Sequence, residues 1–432
     1  MLLKNTFAQT PPMGWNSYDY YDTTVNEAQV KANAEYMAKY LKPHGYEYVI
    51  VDIQWSDPLA GTDRENFQYI NFNHFNMDKY SRQFPAENRF PSSKNGAGFK
   101  PLADYIHNLG LKFGIHIMRG IPRYAAHMHL KIKGTEVTAN KIANPYSISK
   151  WNPDMYGVDY EKPGAQEYYN SIFELYAEWG VDFVKVDDIC NTNFYKDNPY
   201  SAEKEIEMIH KAILTSGRNM VLSLSPGPAV IEKAWHLEKY ANMWRITDDF
   251  WDNWELLKNM FERCEVWQNH VSTGCYPDCD MIPVGYLGKG FGHERYTNFT
   301  INEQITLMTL WCIFRSPLMV GAELTKLDSN TLELLTNDEV LYLISNSHGA
   351  IQIERSNEHA IWFSKDNNDE IYYLAAFNLC EETQTIEVSL NDLGINSNVS
   401  IRDLWTHENL SPAEDIIIAN VPSHGAALYK LV

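Results

Sequence analysis

No run of about eighteen apolar residues occurs anywhere in the 432-residue chain, so no membrane-spanning helix is expected. The first residues, Met1-Leu-Leu-Lys-Asn-Thr-Phe-Ala, hold no apolar stretch of secretory length, and the expected location is cytoplasmic. Cysteine is sparse: six residues, 190, 264, 275, 279, 312 and 380, lie scattered without the spacing of a disulfide framework. Cys275 and Cys279 have no second pair at matching spacing and are read as free thiols. Positive charge is scarce as well, with 36 Lys and Arg against 56 Asp and Glu. The net charge of -20 argues against nucleic acid or an anionic membrane as partner and suits a neutral ligand. Also missing are a Gly-x-Gly-x-x-Gly after the first strand, a phosphate-binding P-loop and a Gly-x-Ser-x-Gly elbow. His116 has no His or Glu four residues on, so no zinc helix is expected, and no metal or cofactor is assigned.

What is present is a soluble globular composition, 44% hydrophobic and 21% charged, on a chain too long for one ordinary domain. Buried-type strands alternate with amphipathic helices. Thr24-Val-Asn-Glu27 has capping-box form and opens a helix on Val30, Ala34, Met37, Ala38 and Leu41. Tyr48-Val-Ile-Val-Asp-Ile-Gln-Trp55 follows, then a loop-rich segment over residues 56–98, strand Lys112–Met118, helix Ala165–Trp179 and strand 181–187. Further strands are expected at Met220–Ser225, Met243–Thr247 and Pro317–Gly321. Non-alternating strands joined by helices imply a parallel sheet. The α/β pattern over residues 8–335 fits a (β/α)8 TIM barrel, with a doubly wound open sheet as the second choice. Beyond about residue 338 the strands become short and closely spaced, as in an antiparallel β-sandwich. This second domain is placed at residues 340–432 and is expected to pack directly on the barrel.

The chemistry centres on Val181-Asp-Phe-Val-Lys-Val-Asp-Asp-Ile-Cys190. Lys185 and Asp187 are two apart and share one side of a strand, either as a structural ion pair or as a catalytic carboxylate with its lysine. Catalytic groups of a barrel stand at the C-terminal ends of its strands. Those ends supply Asp52, His116, Lys185, Asp187, Ser225, Arg245 and Asp249. Two carboxylates without a metal or a cofactor are the minimum for cleaving a glycosidic bond. Each choice also has an ordinary reading: Asp278 and Asp280 as loop caps, Arg245 as the neutraliser of Asp249, His116 as a hydrogen-bonded support.

Several segments together make the chain resemble glycoside hydrolase family 27, the α-galactosidase and α-N-acetylgalactosaminidase family. They are Pro12-Met-Gly-Trp-Asn-Ser17, Gly45-Tyr-Glu-Tyr48, Asp182-Phe-Val-Lys-Val-Asp187, Cys190, Trp244-Arg245 with Asp249, Asp252 and Trp254, Pro277-Asp-Cys-Asp-Met281, and Arg315-Ser-Pro-Leu-Met319. The resemblance implies a retaining double displacement with Asp187 as nucleophile and Asp249 as acid/base, Asp248 being the adjacent rival. It implies sugar contacts from Tyr18, Asp52, His116, Lys185, Ser225, Arg245 and Met281 and a small carbohydrate as partner, and leaves the oligomeric state unknown. Three departures stand out: Ile53 replaces a second acidic residue beside Asp52, His116 replaces a tyrosine, and Ser225-Pro-Gly227 resembles the acetylgalactosaminidase branch. They leave open α-galactoside, α-N-acetylgalactosaminide and β-L-arabinopyranoside as substrates, with a catalytically decayed sugar-binding barrel as the non-enzyme alternative. Lys185 is expected to hold Asp187 ionised, and Arg245 to turn towards the sugar or towards Asp187 rather than Asp249.

Overall fold

The computed structural model describes residues 2–61, 75–192, 196–368, 370–395 and 398–432; residues 62–74 of the expected loop-rich segment lie outside that description. Eight short strands form one sheet: β1 Met13–Asn16, β2 Tyr48–Val51, β3 Lys112–Met118, β4 Phe183–Asp187, β5 Val221–Leu224, β6 Met243–Arg245, β7 Tyr276–Asp278 and β8 Leu318–Val320. Their order is β7-β6-β5-β4-β3-β2-β1-β8, and every neighbouring pair is parallel. The sheet curls until its ends meet. Ile282, just past β7, bridges Val320 of β8 in parallel fashion. The Ile282 N–H donates to the Met319 carbonyl at 2.8 Å, and the Gly321 N–H donates to the Ile282 carbonyl at 3.1 Å. A closed (β/α)8 barrel results, not an open sheet.

The connecting helices are α1 Glu27–Tyr40, α2 Lys100–Asn108, α3 Ala165–Trp179, α4 Glu203–Ser216, α5 Ala234–Tyr240, α6 Trp254–Trp267 and α7 Ile301–Phe314, with α8 Ser329–Leu335 and α9 Asp338–Asn346 after β8. The capping box of α1 is formed by Asn26 and Gln29, not by Thr24 and Glu27. Thr24 is occupied in the preceding turn, where its hydroxyl donates to the Tyr21 carbonyl at 2.6 Å. Glu27 instead accepts the Ser92 N–H at 2.8 Å. Among the described residues, no helix is long and apolar enough to cross a membrane.

Side-chain alternation decides what the barrel encloses. Tyr48, Ile50, Phe183, Val221, Met243 and Tyr276 pack together inside the ring. Val49, Val51, Val184, Val186, Leu222 and Trp244 face outwards and join the core shared with the helices. By the same parity Asp52, His116, Lys185, Asp187, Ser223, Ser225 and Arg245 all belong to the inward set. Gly14 has no room for a side chain: a Cβ there would lie 2.1 Å from the Tyr48 carbonyl oxygen, so glycine lets β1 and β2 approach.

Helix α9 runs straight into the first strand of the second sheet at Ser347, and its Val340, Leu341, Leu343 and Ile344 pack into the barrel core. The C-terminal strands are β9 Ser347–Arg355, β10 His359–Asp366, β11 Tyr372–Asn378, β12 Gln384–Ser389, β13 Val399–Asp403, β14 Asn409–Ala413, β15 Ile416–Val421 and β16 Ala426–Leu431. A six-stranded antiparallel sheet, β9-β10-β11-β16-β13-β14, is covered on one face by the β12–β15 ribbon. Alternation again divides the work. Ile361, Phe363, Leu374 and Ala376 meet Ile386, Val388, Ile417 and Ala419 under the ribbon. Trp362, Tyr373, Ala375 and Phe377 turn the other way and enter the barrel's core. The Phe261 and Phe377 rings lie 4.9 Å apart, and those of Phe314 and Trp362 6.0 Å apart.

Glu303 ties this junction together. It caps α7 by accepting the Thr300 N–H at 2.8 Å and pairs with His424 of the β15–β16 turn at 2.8 Å. Glu303→Ala is expected to lower stability by about 1–2 kcal/mol, one cap plus one partly buried pair, read as a lower urea midpoint.

Candidate active site

The inward parity of the strands brings the polar residues to the C-terminal mouth of the barrel, around a cavity of about 360 Å³. That volume lies in the range of small-ligand sites. Six aspartates line it, Asp19, Asp52, Asp187, Asp248, Asp249 and Asp280, against one lysine and one arginine, Lys185 and Arg245. Burying so many like charges requires each to be paired, hydrogen-bonded or protonated.

Asp187, the last residue of β4, is held from two sides. His116 on neighbouring β3 places Nε2 3.0 Å from Oδ2, and the Asp188 N–H donates to Oδ1 at 2.9 Å. Burial works to raise this carboxyl. The His116 hydrogen bond and charge, then the charge of Lys185, outweigh it and hold Asp187 well below the usual carboxylate range. The charge of Lys185 acts in the expected direction, though behind that of His116. Lys185 reaches across the barrel, and its Nζ donates to Asp52 Oδ2 at 3.0 Å. Asp52 also accepts from Asn16 Nδ2 at 2.7 Å and from the Ile53 N–H at 2.8 Å. Burial would raise Asp52 as well, and the charges of Lys185 and His116 with these hydrogen bonds bring it down.

Arg245 ends β6 almost fully buried. Its Nη2 lies 3.0 Å from Asp249 Oδ1 and 2.9 Å from Asp280 Oδ2. This corrects the expectation that Arg245 turns away from Asp249. Asp249 stands on the loop four residues beyond Arg245, and its side chain is 58% exposed. With Oδ1 on Arg245, Oδ2 is the oxygen not engaged by it. Asp280 also accepts the Phe250 N–H at 2.8 Å, which fastens the loop that carries Asp249. Its own N–H donates to Asp278 Oδ1 at 2.9 Å, so Asp278 does cap this loop. Burial, then the charge of Asp280, pushes Asp278 up to about 7.

Of the sequence-derived residues, Tyr18, Asp52, Lys185, Asp187, Arg245, Asp249 and Met281 line the cavity together. His116 does not reach its wall and stands behind Asp187, 1% exposed. Ser225 is also 1% exposed, with its hydroxyl unpartnered, and Pro226 alone of Ser225-Pro-Gly227 meets the cavity. Gly227 packs backwards, since a Cβ there would lie 2.2 Å from the Thr247 carbonyl oxygen. Reading the sequence missed Asp19, Trp151 and Trp251, all on the cavity wall. Trp151 comes from the excursion between β3 and α3, and Trp251 from the loop after β6, where no strand period announces them. Among the described residues one group has the spacing to hold a metal ion, Glu203, Glu207 and His236 on α4 and α5. It lies off the cavity, and Lys233, Lys204 and Tyr200 already engage its members at 2.7, 2.8 and 2.9 Å.

A carboxylate kept ionised and a second, accessible carboxyl in one barrel-mouth cavity are the working parts of a glycosidase, and that is the class of this enzyme. The family model described as "Alpha galactosidase A" matches residues 157–346, and that of the "Alpha galactosidase C-terminal beta sandwich domain" matches residues 356–431. A solved GH27 β-L-arabinopyranosidase from Geobacillus stearothermophilus is 53% identical, with a TM-score of 0.95, covering 100% of this chain and 99% of that one. A putative α-N-acetylgalactosaminidase from Bacillus halodurans is 48% identical over 98% of this chain and 97% of its own, with a TM-score of 0.87. An α-galactosidase from Cyamopsis tetragonoloba is 25% identical over 435 residues, 100% of this chain and 88% of its own length. The chain belongs to glycoside hydrolase family 27.

With Asp187 required as a carboxylate, activity is expected to fall only when pH drops through its lowered pKa, below the usual value of about 3.9. His116→Phe removes the hydrogen bond and charge while burial stays. The acid limb of the kcat/KM–pH profile should therefore move upwards, to about 4 or beyond. An unmoved limb would show that His116 does not govern Asp187.

Proposed function

We propose that the enzyme is a retaining exo-glycosidase for terminal residues of α-galactosyl configuration, with Asp187 as nucleophile and Asp249 as acid/base. The observation that carries the reading is the different treatment of the two aspartates in one cavity. Asp187 is buried and kept ionised by His116, whereas Asp249 stands exposed on its loop with one oxygen on Arg245. In the first step Asp187 attacks the anomeric carbon, the glycosidic C–O bond breaks, and the departing oxygen takes the proton of Asp249. In the second, Asp249 takes a proton from water, the water oxygen attacks the same carbon, and the ester bond to Asp187 breaks. The presence of both carboxyls with their supports speaks against a decayed binding barrel.

Within that configuration a specific observation favours one sugar. Ile53, 5% exposed, lines the cavity beside Asp52 where the family resemblance implies a second acidic residue. β-L-Arabinopyranosides share the ring configuration of α-D-galactosides and lack only the hydroxymethyl group. An apolar wall suits the sugar without it, and the arabinopyranosidase relative supports the same choice.

Hydrolysis of 4-nitrophenyl α-D-galactoside, α-D-N-acetylgalactosaminide and β-L-arabinopyranoside tests this directly. The arabinopyranoside is expected to give the highest kcat/KM, and the reverse order would deny Ile53 a part in selection. Proton NMR of the first-formed sugar should show the anomer of the substrate. Asp187→Ala should abolish turnover of every substrate, because no glycosyl-enzyme forms. Asp249→Ala should still release nitrophenolate in a burst, accumulate the glycosyl-enzyme and be rescued by azide. Equal loss in both variants without rescue would transfer the acid/base role to Asp248.

A further inference from the structure

Asp19 stands in the cavity wall, yet neither step of the reaction uses it. It lies in the helical turn Tyr18–Tyr21 directly after β1 and is 1% exposed. Its Oδ2 is sealed from solvent and has no hydrogen-bond partner. Gly321, at the end of β8, makes the space for it, since a Cβ there would lie 1.9 Å from Oδ2. The cavity's cations are taken, Lys185 by Asp52 and Arg245 by Asp249 and Asp280. A buried carboxylate left without a partner is strongly disfavoured. Burial first, then the charge of Asp280, with Asp249 and Asp52 adding to it against the pull of Lys185, pushes the Asp19 carboxyl well above the usual range. Such a group is a neutral acid with one O–H to donate, unlike the ionised Asp52 and Asp187, which only accept. Oδ2 is packed against Gly321 and closed to a ligand, so Oδ1 is the oxygen at the cavity wall, where a sugar-ring hydroxyl, which both donates and accepts, can pair with it.

We propose that Asp19 is a specificity-determining residue whose carboxyl hydrogen-bonds a hydroxyl of the bound sugar. The inference rests on the reading of this cavity as the sugar site. Asp19 supplies a polar partner to a cavity in which Ile53 supplies none, and Gly321 is the residue that admits it. Asp19 takes no part in bond making or breaking, so its removal acts on recognition.

The test uses whichever of the α-D-galactoside, α-D-N-acetylgalactosaminide and β-L-arabinopyranoside the wild type turns over fastest, with its monodeoxy analogues. Asp19→Leu should lose about tenfold in kcat/KM, mostly in KM, on the parent and on every analogue but one. On that one, which lacks the hydroxyl Asp19 holds, variant and wild type should agree within about twofold. Asp19→Asn keeps a donor of the same size and should lose about threefold in the same pattern. Infrared difference spectra provide a second measurement should the leucine variant not fold. A protonated-carboxyl stretch should shift when the free sugar binds and be absent from Asp19→Asn. An equal loss on the parent and all analogues, no loss at all, or a stretch that ignores the sugar would overturn the role of Asp19 alone. A wild type inactive on all three glycosides would overturn the sugar reading, and the Asp19 assignment with it.

Discussion

Six aspartates share the barrel mouth with one lysine and one arginine, and the placement of those two cations organises the site. Lys185 secures Asp52 at 3.0 Å, and Arg245 bridges Asp249 and Asp280 at 3.0 and 2.9 Å. Asp187 is served by neither at such range and takes His116 instead, on the next strand at 3.0 Å. Each carboxyl thereby reaches a different state from the same starting chemistry. Asp52 beside Lys185 and Asp187 beside His116 are held below the usual carboxylate range, while Asp19 and Asp278, which have no such partner of their own, are pushed up by burial and by their neighbours. A glycosidase needs this inequality, because its two carboxyls perform opposite tasks in each half of the reaction.

The barrel can hold such a cluster because its interior is divided by depth. Below the mouth, Tyr48, Ile50, Phe183, Val221, Met243 and Tyr276 fill the ring with apolar packing. The charged residues follow on the same inward parity, one or two steps nearer the strands' C-terminal ends. The packed floor fixes the strand ends, and hydrogen bonds between neighbouring strands hold His116 against Asp187 at matched register, His116 opposite Lys185 and Met118 opposite Asp187. Precision in the site is therefore inherited from the ladder rather than from the loops. The exception is Asp249, whose loop is fastened by the Phe250 N–H to Asp280. The sandwich contributes from outside by covering one face of α6 with Phe377 and α7 with Trp362, so that α7 is buried almost all round.

The sequence by itself determined the barrel, the change to an antiparallel sheet, and the residues at the strand ends. These follow from short-range periodicities: parity two along a strand decides which side chains enter the ring, and of the strand-end candidates Asp52, Lys185, Asp187, Arg245 and Asp249 line one cavity, whereas Tyr18 and Met281 came from the family resemblance. Tertiary structure decided the partners. Lys185 and Asp187, two apart on one strand, look like a pair in sequence, yet lysine's long side chain reaches Asp52 two strands away across the curled sheet. Arg245 faces Asp249 because Asp280, from the loop after β7, draws both it and the Phe250 backbone to one point. The cap of α1 moved to Asn26 because Thr24 had a nearer carbonyl to bond. Asp19, Trp151 and Trp251 were illegible because loops carry no period. Only the pairing of the last strand, β8, with the first, β1, which sets Gly321 beside Asp19, gives an unremarkable aspartate in a turn its place in the wall.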